Sequence, residues 1–205
     1  MLHQIFTQTI NNYTNNPGLI KKYWAEIESE YTFINRFYHT LIHIDNMITE
    51  LNDAKCMINE WDSVIFSAFY HDMIYNITAK DNEEKSAILA RLRLNKISFP
   101  KEKTERCVKM ILATKSHDFS PDNDINLFVD ADIVILGKSP DNYTIYKNQI
   151  RQEYSCYPDS EYNEGRRKVL NHFLPQATIY KTLFFQEKYE QQARQNLLYE
   201  LELLQ

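Results

Sequence analysis

The sequence predicts an all-α, single-domain bundle, and three observations carry that expectation. Glycine is scarce, at three residues, and the six prolines fall mostly at segment edges, which leaves little turn chemistry for hairpins. Apolar residues recur at spacings of three and four, as in Leu41, Ile44, Ile48 and Leu51, and again in Ala87, Ala90, Leu94 and Ile97. Helix starts are signalled repeatedly by Ser, Asp or Pro ahead of such runs. With 205 residues, 43% apolar and 25% charged, the chain is long enough for one sizeable core and too apolar for disorder.

Taken in order, Pro17 opens a helix running through Trp24 and Ile27. The Leu41 to Leu51 stripe makes another. Val64 to Tyr70 is an apolar helix that ends in His71-Asp72. Asp81 precedes Asn82-Glu83-Glu84, an acidic first turn suited to the positive end of a helix dipole. Ser98 and Pro100 introduce Glu102 to Thr114, and Ser139-Pro140 introduces Tyr143 to Tyr154. Gly137, after "DINLFVDADIVIL", reads as a helix stop. The β-branched part of that run also fits a strand, but no second strand is evident to pair with it. In the C-terminal run, Leu183, Phe184, Ala193, Leu197, Leu201 and Leu204 form a helical stripe that suits packing on the core or, alternatively, the seam of a homodimer. The total comes to about nine helices joined by short loops.

Composition excludes several functions. A net charge of -5 with scattered Lys and Arg gives no evident nucleic-acid surface. Nowhere do 18 apolar residues run together, so no membrane span is expected, and the N-terminus lacks the basic start and apolar stretch of a signal peptide. Cys56, Cys107 and Cys156 are odd in number and widely spaced; they read as reduced, buried thiols of a cytoplasmic protein, with no disulfide framework or cysteine zinc site.

Four segments carry metal-ligand chemistry. In "RFYHTLIHIDNM", His39 and His43 are four apart and project from one helix face. The HExxH of helical zinc proteases needs a glutamate after the first histidine; Thr40 stands there, and the protease reading fails. His71-Asp72 ends a buried-looking helix, where an unpaired carboxylate would be expensive, so it is favoured as a metal pair over the loop doublet His117-Asp118. Asp130 and Asp132 lie in an apolar helix and need a cation, a metal or a water-filled cavity; two apart, they diverge, and only one should be a direct ligand. His117 is a further ligand, a substrate contact, or a loop histidine bonded only to its neighbours.

Together these segments resemble the HD superfamily of metal-dependent phosphohydrolases, whose pattern is a histidine, a helix ending in adjacent His-Asp, and a distant aspartate. "RFYHTLIH", "AFYHDMIYN", "NEEKSA", "ATKSH", "DADIVILG" and "IRQEY" are similar, in order, to the blocks of a bacterial subgroup of predicted HD-domain phosphohydrolases. They span Arg36 to Tyr154, so the resemblance implies an HD-type core over about residues 36–154 with flanking helices at both ends of a single domain 1–205. It implies His43, His71, Asp72 and Asp132 as metal ligands, with His39 and Asp130 as neighbours or ligands of a second ion.

Two imidazoles and two carboxylates suit Mn²⁺, Fe²⁺, Co²⁺, Ni²⁺ or Zn²⁺ better than Ca²⁺, with Mg²⁺ also compatible. The implied reaction is hydrolysis of a small phosphorylated molecule, a nucleotide above all, by attack of metal-activated water. Within it Asp72 and Glu83 are the expected catalytic carboxylates, and Arg36, His117 and Arg151 the expected substrate contacts, since guanidinium forks fit phosphate oxygens. Asp45, Asp130 or a glutamate would accept the second ring N–H of a ligand histidine. Tyr38, Tyr70, Tyr75 or Tyr154 would stack a base. The alternative function is a non-catalytic HD-fold module that binds or senses a nucleotide.

Overall fold

The computed structural model describes residues 1–204, and among them ten α-helices and no strand occur. They are α1 (Leu2–Asn11), α2 (Pro17–Tyr31), α3 (Leu41–Asp53), α4 (Trp61–Tyr70), α5 (Asn82–Lys96), α6 (Lys101–Ala113), α7 (Asn123–Asp132), α8 (Pro140–Glu153), α9 (Asp159–Phe173) and α10 (Leu183–Leu203). Short 3₁₀ turns fill Lys55–Met57 and Val134–Gly137. The strand alternative for "NLFVDADIVIL" is thereby excluded: β-branched residues buried on every side pack as well in a helix, and tertiary context decides.

The start signals act as capping chemistry predicts. Asn16 accepts a hydrogen bond from Leu19 N at 3.0 Å, with Pro17 as the first helical residue of α2. Asp122 accepts from Asp124 N at 3.1 Å at the start of α7, and Ser139 caps α8 ahead of Pro140. Asp81 makes no such bond; it pairs with Lys85 at 2.9 Å, and the acidic first turn of α5 is left to Glu83 and Glu84.

Helix α4 runs through the middle, with every residue from Ser63 to Tyr70 buried. Around it pack α1, α3, α5, α6 and α7, and α5 lies along α6. Helix α7 is buried from Asp124 to Ala131. Burying two helices all round removes water from both of their C-terminal ends, and the chemistry-bearing residues lie there.

Helix α10 packs on the Val134–Gly137 turn, as the core-packing reading of the C-terminal run required. Its inward face is Phe185, Tyr189, Ala193 and Leu197, whereas Leu183 is 73% exposed and leaves the expected stripe. A Cβ at Gly137 would meet Tyr189 Cβ at 2.5 Å and its carbonyl at 2.7 Å, so this glycine is what allows α10 to approach. The cysteines need one correction: Cys107 is buried, its thiol pushed up to about 12 by burial, but Cys56 and Cys156 are exposed. Among the described residues no helix is long and apolar enough to cross a membrane.

Candidate metal centre

Three elements deliver the central side chains. His43 lies in the first turn of α3, His71 directly follows α4, and Asp132 is the last residue of α7. Helices α4 and α7 thus turn their C-terminal, partially negative ends toward one point, which favours a cation there. The segment before α3 is tied to the segment after α4 by Arg36. Its buried guanidinium donates to the carbonyls of Asp72 at 2.7 Å, Met73 at 3.1 Å and His39 at 3.3 Å, and stacks on Tyr31 and Tyr75. Tyr31 OH further accepts from Asp72 N at 3.1 Å.

At the convergence His43 Nε2 stands 3.1 Å from His71 Nε2 and 3.0 Å from Asp132 Oδ1. His71 Nε2 is 3.5 Å from Asp132 Oδ1 and 3.0 Å from Asp72 Oδ2, which is itself 4.0 Å from His43 Nε2. Ligand atoms of His43, His71 and Asp132 all lie within 4.8 Å of one another, and Asp72 joins the group through His71. His117 Nε2 meets the other oxygen of Asp132 at 2.8 Å.

The protonation pattern shows why this group fits a cation. His71 Nδ1 is 2.9 Å from the Ala68 carbonyl and must donate to it, so in a neutral ring the Nε2 lone pair is bare. That lone pair faces two carboxylate oxygens and a second imidazole nitrogen. A single proton satisfies one such pair at a time; a divalent ion satisfies all of them. Atoms bound at about 2.1 Å to one ion lie roughly 3.0 Å apart at right angles and about 4.2 Å apart when opposite, which matches the separations found.

Without an ion the carboxylates draw a proton to this point, and a metal would have to displace it. Burial opposes charge on His71, yet the Asp72 and Asp132 carboxylates outweigh it and hold its pKa well above the ordinary imidazole range. Burial would raise Asp132, but hydrogen bonds from His117, His43 and His71 hold it well below the usual carboxylate range; His71 does the same for Asp72. Burial pushes His43 down, which keeps that imidazole neutral as a ligand must be. His43, His71 and Asp132 could hold a metal ion, with Asp72 beside them, and the mixed nitrogen and oxygen set does not select among metals.

No family model, curated protein or solved structure matches this chain.

The remaining expected site residues are placed differently. His39 turns away from the cluster to Glu153, 2.7 Å from Oε2, while Glu153 Oε1 accepts from the backbone N–H of Phe37, Tyr38 and His39. Asp130 accepts from Lys181 N, Thr182 N and Thr182 Oγ1 at 2.7 to 2.8 Å, so its cation-like partner is the backbone ahead of α10; burial lifts its pKa to about 6. Both belong to scaffolding. Arg36 and Arg151, expected as phosphate contacts, are engaged within the chain: Arg36 with backbone carbonyls, and Arg151 with Asp159 and the carbonyls of Tyr154 and Tyr157. Glu83 lies 3.8 Å from Lys115 at the start of α5, without a contact to the cluster among the described hydrogen bonds and ion pairs. Asp45 takes no ring proton; the Ala68 carbonyl serves His71 instead. Of the tyrosines expected to stack a base, Tyr70 is fully buried and Tyr75 is held by Glu153, whereas Tyr154 lines a cavity.

Beside Asp132 and His117 opens a cleft of about 490 Å³, rimmed by Lys115, Lys168 and His172. Sequence reading missed these three, because a single lysine or histidine in a polar stretch carries no local signal. It also missed Glu153, although the residue sits in the quoted block "IRQEY"; its target lies 114 residues away.

Proposed function

We propose that this chain is a metal-dependent phosphohydrolase acting on a small phosphorylated molecule. One observation carries the reading: the Nε2 of His71, its Nδ1 fixed by Ala68, faces His43 and two carboxylates at 3.0 to 3.5 Å. The HD-type order of these residues in the sequence agrees with it.

His43, His71, Asp72 and Asp132 would hold the ion. When bound, it supplies a Lewis acid that makes water more acidic and offsets charge on a phosphoryl group. The chain supplies the rest. Ala68 fixes the His71 tautomer, and His117 pins the outer oxygen of Asp132, so both ligands keep one orientation. Asp72, partly exposed and held ionised by His71, adds a second negative charge beside the place the ion would take. Lys115 and Lys168 give that cleft a cationic rim for phosphate oxygens, and His172 adds a ring nitrogen to it. Lys115 is oriented by Glu84 and the Lys80 carbonyl, with Glu83 3.8 Å away and therefore at most an indirect contributor.

The test is phosphate release from a panel of nucleotides and phosphoesters by metal-loaded protein. Release that Asp72→Ala abolishes supports hydrolysis. Stoichiometric metal with saturable nucleotide binding and no product supports the binding module instead. Metal-free protein after incubation with each candidate ion sinks both.

A further inference from the structure

A second cavity, of about 450 Å³, adjoins the cleft beside Asp132 and shares His39, Tyr146, Arg166 and Val169 with it. It lies between α8, α9 and the loop joining them. Its walls are tyrosines: Tyr146, Tyr154, Tyr157 and Tyr162. The Tyr162 hydroxyl is buried and has no hydrogen-bond partner, a state that ordinarily needs an explanation. Arg151 stacks on the Tyr162 ring and holds the carbonyls of Tyr154 and Tyr157, so the wall is fixed before anything binds.

The two compartments differ in charge. The cleft beside Asp132 has Lys115 and Lys168 on its rim; Lys115 meets Glu84, Glu83 and the Lys80 carbonyl, and Lys168 meets Glu164, all in exposed contacts of the kind that exchange partners at little cost. The tyrosine compartment has no comparable cation. Its Arg166 is held by Glu200 through two hydrogen bonds of 2.9 Å, its His39 is paired with Glu153, and Glu161 stands exposed on the lining. An anion is disfavoured there. Flat rings stack well on tyrosines and need no charge.

We infer that the tyrosine compartment between α8 and α9 is a binding subsite for an uncharged, flat aromatic or heteroaromatic ring, carried by a molecule whose phosphate lies in the adjoining cleft beside Asp132 and His117. The placement of the phosphate rests on the hydrolase reading; the ring subsite does not. The substrates selected are therefore phosphate esters of ring-bearing groups over those of open-chain alcohols. Tyr157, Tyr162 and Gly165, outside the segments that carry the metal-ligand pattern, share in setting this preference with Tyr146 and Tyr154.

Gly165 provides the test. It lines the compartment in the interior of α9, and a Cβ there meets nothing within 4 Å, so Gly165→Leu fills the space without a backbone clash. Calorimetric titration of adenosine and of benzyl alcohol, as heteroaromatic and simple aromatic probes, and of inorganic phosphate is carried out on Mn²⁺-loaded full-length protein and on the two variants Gly165→Leu and Tyr162→Phe. The expected result is adenosine binding weakened by about tenfold or more in Gly165→Leu and changed by less than about twofold in Tyr162→Phe, which keeps the ring, with phosphate binding altered by less than about twofold in both. In parallel, the ratio of kcat/KM for AMP to that for glycerol 3-phosphate falls in Gly165→Leu. Adenosine and benzyl alcohol binding that both survive Gly165→Leu, or no measurable binding of either ring to the unaltered protein, overturns the subsite. Plug-sensitive ring binding without phosphate release from any ester overturns the hydrolase reading and leaves the subsite standing.

Discussion

His39 Nδ1 lies 2.7 Å from Glu153 Oε2, joining the segment before α3 to the end of α8 across 114 residues. Glu153 also receives three consecutive backbone N–H groups from Phe37 to His39 and the Tyr75 hydroxyl. Burial raises its pKa, but the His39 bond and the other donors prevail and bring it to about 2. This pair sets how the His43 helix begins.

Stability should therefore show a pH window. Glu153 has a folded pKa of about 2 against 4.5 ordinarily, so its contribution is complete above pH 4.5 and is lost as pH falls toward 2. His39 titrates above its ordinary 6.5, since Glu153 outweighs burial, so its contribution is complete below pH 6.5 and is lost as pH rises through the folded value. Between those limits both act, and the Glu153 share is roughly 3 kcal/mol at 1.36 kcal/mol per unit. Chemical denaturation across pH 3 to 9 should show Glu153→Gln losing most of the difference between pH 6 and pH 3 that this group contributes. An unchanged acid limb would refute the assignment.

Metal linkage provides a second check. An ion at a hundred times its Kd raises native stability by about 2.7 kcal/mol, provided the unfolded chain does not bind it. His71→Ala and Asp132→Ala should each erase the metal-induced rise in Tm, whereas His3→Ala, whose ring packs on Trp24, should keep it. Three identical responses would mean the wrong ligands.

Two glycines should respond oppositely to alanine. Gly137→Ala drives a methyl to 2.5 Å from Tyr189 Cβ and should destabilise by about 1 to 3 kcal/mol. Gly165→Ala, in open space within α9, should stabilise by about 0.5 to 1 kcal/mol. Midpoints of urea unfolding at constant m-value measure both.

Arg36 distinguishes a scaffold from a substrate contact. Arg36→Met leaves the Asp72 and Met73 carbonyls without their donors and should cost about 2 to 4 kcal/mol of stability, together with weaker metal binding. In protein that remains folded and metal-saturated, KM for a phosphoester should move by less than about threefold. A large rise in KM with little loss of stability would restore the guanidinium to the phosphate.

Much of this was legible in the residues. The 3.6-residue periodicity and the caps at Pro17 and Ser139-Pro140 located helices because those signals are local and act within one turn. His71-Asp72 announced itself because polar groups end an eight-residue buried run, Ser63 to Tyr70. Asp130 and Asp132 were equally conspicuous, yet the sequence could not divide their tasks without the family pattern. The structure gives Asp130 to Thr182 and brings Asp132 to His43, because side chains two apart on a helix diverge by about 160° when successive residues turn by 100°.

The sequence by itself determined the helical class, the caps and the inventory of ligand-type side chains, since each depends on neighbours within about four residues. Only the tertiary structure decided which of them meet. Arg36, Arg151 and His39 carry the right chemistry for a site and are spent on carbonyls and on Glu153, while Lys115 and His172, unremarkable in the chain, reach the cleft beside Asp132. A buried charge must be satisfied by whatever the fold brings within about 3 Å, and that distance is fixed by packing between helices far apart in sequence.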